Sequence, residues 1–214
     1  MKRLAIIGTK ELSMQITGHA LYTKEFTVVG YYDDIAEKGT KLINGLHVLG
    51  NVLEDAFDDY QKGLFDCIFI SIGYSRFDLR EYYYHLVKGR IPLANIILPT
   101  AYISPSARLG EGIFVGPQAS IDDRTIVKDN VFIHGLTAIT HDCFVEEHTY
   151  FSGRCDLAGF VHIGKRNFVG IRVCFADHIT TCDDVWTGIG CIVAKDIKHP
   201  GKYMSPAAKL YKIE

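Results

Sequence analysis

Within this chain, Thr140-His141-Asp142-Cys143 is the segment best equipped for proton transfer. An unperturbed imidazole titrates near pH ~6.5, so at neutral pH it can take a proton from an attacking amine or hydroxyl. Asp142, next in the chain, can orient that ring or hold the incoming group, and Asp123, eighteen residues earlier, offers a second carboxylate. A second set of residues lies near the start, where Gly8-Thr9-Lys10-Glu11-Leu12-Ser13 follows a short apolar run. A glycine, a hydroxyl and a lysine at a strand-to-helix turn suit a diphosphate, because the N–H groups at a helix N-terminus attract anions. The same stretch also reads as a plain turn capped by Thr9. It contains no G-x-G-x-x-G, which argues against a dinucleotide cofactor.

The elements that must position His141 follow from a six-residue beat. From Ile103 to Val193 a position filled mainly by Ile, Leu, Val or Phe returns every sixth residue, with Thr181 and Thr187 as its polar members. Four residues after each anchor comes a second, small or β-branched position, broken only by Asn167. A helix repeats near 3.6 and a flat strand at 2, whereas a period of six describes short strands and turns wound into a solenoid. Three hexads make an eighteen-residue coil, so residues eighteen apart stack and five coils share one core. His141 is third in its hexad, near a corner and facing away from the core; His134, His148 and His162 fall at the second, fourth and sixth positions and point elsewhere.

The first hundred residues alternate strands and helices instead. Strands are expected at 4–7, 26–32, 65–72 and 95–98, and helices at about 11–21 and 77–87. This pattern argues for a small parallel sheet of Rossmann type with ligands at the strand C-termini, and Pro99 and Pro105 place a boundary near residue 100. The expected organisation is a domain of residues 1–100 and a solenoid of residues 101–214.

With 214 residues, 48% of them hydrophobic, and a formal net charge of −2, the chain has the composition of an ordinary globular protein. Near-neutral charge gives no reason to expect nucleic acid or an anionic membrane as partner. Met-Lys-Arg opens the chain, but the apolar run 4–7 stops at Gly8, short of a signal-peptide core. The six cysteines include no Cys-x-x-Cys, and Cys143, Cys155 and Cys191 occupy the small core position, so a reducing cytoplasm is expected.

Taken together, the hexads, Ile6-Ile7-Gly8, Gly30-Tyr31-Tyr32-Asp33-Asp34, Val48-Leu49-Gly50, Ser71-Ile72-Gly73 with Arg76, Ile103-Ser104-Pro105-Ser106-Ala107 and Thr140-His141-Asp142-Cys143 resemble one family. This is the hexapeptide-repeat sugar O- and N-acyltransferases, of the sialic acid O-acetyltransferase and nucleotide-4-amino-sugar N-acetyltransferase type. The resemblance implies a left-handed parallel β-helix behind a Rossmann-like nucleotide-sugar-binding domain. It implies a homotrimer with the active site between subunits, and no metal. It further implies acetyl-CoA as cosubstrate and His141 as general base beside Asp142. Carried over by position, acetyl-CoA would touch Tyr150, Gly159, Ile171, Gly188 and Gly190, and the nucleotide sugar would touch Gly8, Thr9, Asp33, Asp34 and Gly73. The expected reaction is N-acetylation of a nucleotide-linked 4-amino-deoxy sugar, with O-acetylation of a sugar as the alternative. Two other readings are a γ-carbonic-anhydrase-like lyase, for which His134, His141 and His148 are the candidate ligands, and a non-catalytic scaffold. The spacing of seven turns those histidines to different faces, and the retained His-Asp pair speaks against a scaffold.

Overall fold

Each hexad becomes a two-residue strand and a turn. Its anchor faces inward, and strands eighteen residues apart pair in parallel, as in Ile103↔Ile121, Ile121↔Ile139 and Ile139↔Leu157. The computed structural model describes residues 1–206. Three stacked parallel sheets form the faces of a prism. The first begins at Ile96–Ile97 and runs through Phe114–Val115, Phe132–Ile133, Tyr150–Phe151 and Phe168–Val169; the second contains Ala138–Ile139 and the third Phe144–Val145. The inward anchors and the second, small positions fill one continuous core. Asn167, which breaks the pattern, is buried and fully used. Its amide donates to the carbonyls of Gly164 (2.9 Å), Lys165 (3.0 Å) and Cys182 (2.9 Å), and its oxygen accepts from Thr181 (3.0 Å).

The corners are sharp because every sixth residue from Gln118 to Asp184 takes a positive φ, and none of these residues is glycine. That conformation costs an L-residue roughly 1–2 kcal/mol. Bonds between coils offset it: Asp142 N–H donates to Asp123 O at 2.9 Å, Phe160 N–H to His141 O at 3.2 Å, and His178 N–H to Gly159 O at 3.0 Å.

Ahead of the prism, β1 (Lys2–Ile7), β2 (Phe26–Tyr32), β3 (Val48–Gly50) and β4 (Cys67–Ile70) form a parallel sheet in the order β3-β2-β1-β4. Helix α1 (Glu11–Thr23) joins β1 to β2, α2 (Phe57–Gln61) precedes β4, and α3 (Phe77–Val87) follows it. The short β3 and α2 escape sequence reading because neither carries a full period. The strand expected at 95–98 does not join this sheet. Ile96–Ile97 pairs with Phe114–Val115 and opens the prism; the segment just before it, through Pro92 O and Ala94 N–H on either side of Leu93, bonds Ile68 at the edge of the N-terminal sheet.

An aromatic ladder holds the two parts together. Phe114, Phe132, Tyr150, Phe168 and Trp186 project from the first face at eighteen-residue intervals and pack beneath Leu4, Ile6, Ile16 and Phe69. Arg80 of α3 is fully buried there, donating to the carbonyls of His148 (3.2 Å) and Asn130 and lying 4.4 Å above the Phe132 ring. Without a carboxylate partner among the described residues, burial draws its pKa down to about 9, which leaves it charged at neutral pH.

Two histidines at this junction make stability depend on pH. Burial first, then nearby positive groups, pushes His134 down to about 4 and His148 down to about 3. Both are therefore neutral in the fold, while the unfolded chain binds protons below pH ~6.5. Their contribution is intact above that pH and is lost as pH falls toward 4, by roughly 2 kcal/mol per histidine at pH 5. Thermal melts at pH 7.5 and 5.0 are expected to differ accordingly, and the difference should shrink in a His134→Gln, His148→Gln double variant.

Candidate active site

At the corner between the second and third faces, two columns of residues rise coil by coil. One contains Asp123, His141, Gly159 and Asp177; the other, with positive φ, contains Arg124, Asp142, Phe160 and His178. The His141 side chain is half exposed, and its Nδ1 lies 2.9 Å from Asp142 Oδ2. A carboxylate only accepts, so Nδ1 carries the proton and Nε2 keeps its lone pair. Nε2 has no hydrogen bond among the described residues, which leaves it free to take a proton. Arg124 grips the same carboxylate with Nε on Oδ1 and Nη2 on Oδ2, both at 2.7 Å. That fork, and then His141, hold Asp142 well below the usual carboxylate range.

Gly159 sits one coil above His141 and makes room for it: a Cβ there would lie 2.6 Å from Cε1 and 2.9 Å from Nε2. Phe160 meets the imidazole edge-on at 5.4 Å and stacks on His178 at 4.7 Å. Asp123 turns away, accepting from Ser104 and from Ser106 at 3.1 Å, so it does not serve the imidazole. Sequence reading overlooked Arg124, although its place eighteen residues before Asp142 was the available signal.

The second half of the site is a cavity of about 470 Å³ at the C-terminal ends of β1, β2 and β4, lined by Gly8, Thr9, Lys10, Asp33, Ser71, Gly73, Arg76 and Tyr83. Thr9 does not cap α1. Its hydroxyl donates to Asp33 Oδ2 at 2.7 Å, while Asp33 Oδ1 accepts from the N–H groups of Ile35 (2.9 Å) and Ala36 (3.1 Å). Gly8 has φ +105°, and a Cβ there would press on Ser13 and the Ser71 carbonyl. The Ser71 hydroxyl is buried without a partner among the described residues and lines the cavity, so it is a polar group ready for a ligand. Lys10 has no ion pair among the described residues, whereas Arg76 pairs with Asp78 at 2.9 Å. Asp34 is a correction: it does not line the cavity. Its carboxylate accepts from Val52 N–H (2.7 Å) and Tyr83 O–H (2.8 Å), which ties β2 to the following elements.

The expected acetyl-CoA contacts divide. Ile171, Gly188 and Gly190 meet at the corner between the first and second faces, where Gly190 N–H donates to Ile171 O at 2.8 Å and the space beside Gly190 is open. Gly188 is packed, since a Cβ there would touch Met204. Gly159 belongs instead with His141. Tyr150 is a correction: it is buried under the N-terminal sheet, with its hydroxyl 2.7 Å from His134 Nε2, and cannot line a surface groove.

His134, His141 and His148 do not converge. His134 bonds Tyr150 on the first face, and His148 is buried at the corner beneath α3. Glu81, His85 and His148 do bring ligand atoms within 4.8 Å of one another. Yet Arg80 fixes the Asn130 amide through Oδ1 (3.2 Å), so Asn130 Nδ2 donates to His148 Nδ1 (2.9 Å) and the proton of His148 stays on Nε2. Arg166 also pairs with Glu81 at 3.5 Å, so the carboxylate already has a cation and neither nitrogen of His148 offers a lone pair to a metal.

Among solved structures, the fold is similar to that of PerB from Caulobacter crescentus, in complex with CoA and GDP-perosamine. Identity is 26%, the TM-score is 0.85, and the match covers 99% of this chain and 98% of that one. The acetyltransferase domain of PglB from Neisseria gonorrhoeae, in complex with acetyl coenzyme A, matches at 25% identity and a TM-score of 0.81 over 98% and 99% of the two chains. These likenesses support the resemblance to hexapeptide-repeat acyltransferases read from the sequence. By sequence the chain resembles UDP-3-O-acylglucosamine N-acyltransferases, at 32% identity over 99 residues for Bordetella avium (44% of this chain, 27% of the relative) and 32% over 107 for Herminiimonas arsenicoxydans (47% and 31%). The chain therefore spans under a third of those relatives' length. No family model matches it.

The His141 corner and the cavity lie on opposite sides of one prism. The N-terminal sheet covers the first face, and His141 stands on the corner between the other two.

Gly159→Ala tests the corner geometry. Its backbone accepts alanine, but the methyl group must displace the imidazole from Asp142. The expected result is a changed His141 ring signal in NMR, with thermal stability shifted by less than about 1 kcal/mol, because the imidazole that must move is itself half exposed.

Proposed function

We propose that this chain is an acetyl-CoA-dependent N-acetyltransferase acting on the amino group of a nucleotide-linked 4-amino-deoxy sugar. The observation that carries the reading is the His141–Asp142 pair, with Nδ1 fixed and Nε2 free on an exposed corner. The full-length likeness to PerB with bound CoA and GDP-perosamine supports it, as does the likeness to the PglB domain with acetyl coenzyme A. In this reading a left-handed β-helix follows a Rossmann-like domain that ends near residue 100. Gly8, Thr9, Asp33 and Gly73 hold the nucleotide sugar, with Lys10 and Ser71 added to the expected set. Ile171 and Gly190 border the pantetheine path, where an open turn and an exposed apolar side chain suit a slender chain.

The sugar amine attacks the thioester carbonyl; a C–N bond forms and the C–S bond breaks. The amine's proton passes to Nε2 of His141 and from there to the departing thiolate of CoA. Asp142 keeps the ring in the tautomer that can accept it.

Because the cavity and His141 of one chain face opposite directions, the working unit is a homotrimer in which the cavity of one subunit meets the His141 of its neighbour. Two inactive variants test this, His141→Asn and Asp33→Ala. Mixed and reassembled, they should regain activity that neither has alone.

Release of free CoA thiol from acetyl-CoA in the presence of UDP-, GDP- or dTDP-linked 4-amino sugars tests the reaction. His141→Ala and His141→Asn are expected to lower turnover by ~10²–10⁴, with substrate binding retained. Residual turnover in His141→Asn above about a tenth of wild type would exclude general-base catalysis by this residue.

A further inference from the structure

Arg124 has no place in the reaction as described, yet it holds the group that holds the base. Its fork on Asp142 is bidentate and planar, with two bonds of 2.7 Å. A second pair of the same geometry exists on the solenoid: Arg166 grips Asp184, also eighteen residues on, with Nε on Oδ1 at 2.7 Å and Nη2 on Oδ2 at 2.9 Å. Fork pairs between stacked corners are thus a device the prism uses for its own cohesion. What distinguishes Arg124 is that the carboxylate it grips also touches an imidazole through Oδ2.

We propose that Arg124 is a positioning residue for His141, aiming the Asp142 carboxylate at Nδ1 and offsetting its negative charge. The proposal rests on the reading of His141 as the base. A bare carboxylate beside an imidazole does two things: it selects the useful tautomer, and it stabilises the imidazolium, which cannot act as a base. Pairing the carboxylate with a guanidinium preserves the first effect and removes most of the second. Arginine suits the task better than lysine, since its fork fixes the carboxylate plane as well as its charge.

The other charged groups around His141 do not substitute for it. On the coil below, Asp123 is bound by Ser104 and Ser106, and Asp122 accepts from the Asp123 N–H at 2.8 Å. On the coil above, Gly159 and Phe160 carry no charge. Beyond Phe160, Asp177 and His178 pair loosely with each other at 3.9 Å.

The test follows the imidazole of His141 by NMR titration and, separately, the pH profile of acetyl transfer. Glutamine is a suitable replacement for Arg124 because Gln118 already occupies an equivalent corner with φ +57°. In Arg124→Gln the titration midpoint of His141 and the acid limb of kcat/KM should move together to higher pH, by roughly one unit, with activity approaching wild type above that limb. In Asp142→Asn both should move to lower pH, while turnover stays depressed at every pH because the tautomer is no longer held. Arg124→Lys should lie between wild type and Arg124→Gln. Arg166→Gln, the same change at the other fork, should leave both readouts in place. If Arg124→Gln leaves the midpoint unmoved, moves it the same way as Asp142→Asn, or lowers turnover equally at all pH, the proposal is overturned. The titration needs no turnover, so the two readings fail separately. A wild-type protein without acetyl transfer but with opposed midpoint shifts refutes the activity and keeps the relay. An active enzyme without those shifts does the reverse.

Discussion

The eighteen-residue register between coils is the constraint on which everything else depends. It is set by bonds that run from strand and corner N–H groups to the neighbouring coil, to a carbonyl at most corners and to the hydroxyls of Thr100 and Ser106 at Gln118 and Arg124, and it is tight enough to hold arginine, leucine, phenylalanine and histidine at positive φ, from Arg124 and Leu136 to Phe160 and His178. Those conformations are unfavourable one by one. They persist because the corner N–H would otherwise be left without a partner inside a packed wall. Once the register is fixed, side chains eighteen apart become neighbours without further cost, and the corner columns read as continuous lines of chemistry.

One such line builds the candidate corner at His141. Arg124, Asp142, Phe160 and His178 descend from one column, His141 and Gly159 from the other. The imidazole stands where it does because Gly159, one coil above, offers no side chain, and because Asp142 is itself held from below. Its ring is thus located by Asp142 on its own coil and by the room at Gly159 on the coil above, while Arg124 on the coil below holds Asp142, so an imidazole on an exposed surface is placed without being buried.

Another line joins the two parts of the molecule. The outward aromatics of the first face would be a large apolar stripe if left bare; under the N-terminal sheet they become a second core. Arg80 and the neutral His134 and His148 lie in that junction, satisfied mainly by backbone carbonyls, an amide and a phenol instead of opposite charges. Covering the first face also places the cavity away from the His141 corner of its own prism.

The period of six by itself determined the prism, its inward residues and the corner position of His141, since hydrophobic periodicity is local information that survives without coordinates. The strands and helices of the N-terminal sheet were legible for the same reason wherever they had a full period, and β3, α2 and the true partner of Ile96–Ile97 were not. Residues assigned by position alone fared unevenly. Gly8, Thr9, Asp33 and Gly73 do line one cavity, whereas Asp34 is spent on Val52 and Tyr83 and Tyr150 lies under the sheet. Nothing in the chain near Tyr150 marks which face of the prism will be covered, because the covering residues stand some eighty to one hundred and fifty positions earlier. The Arg124 fork, the room left by Gly159 and the separation of the cavity from the His141 corner were likewise decided only by tertiary structure. Each depends on which side chains the register brings into contact across coils, and a linear pattern carries periodicity but not the direction in which a long polar side chain turns.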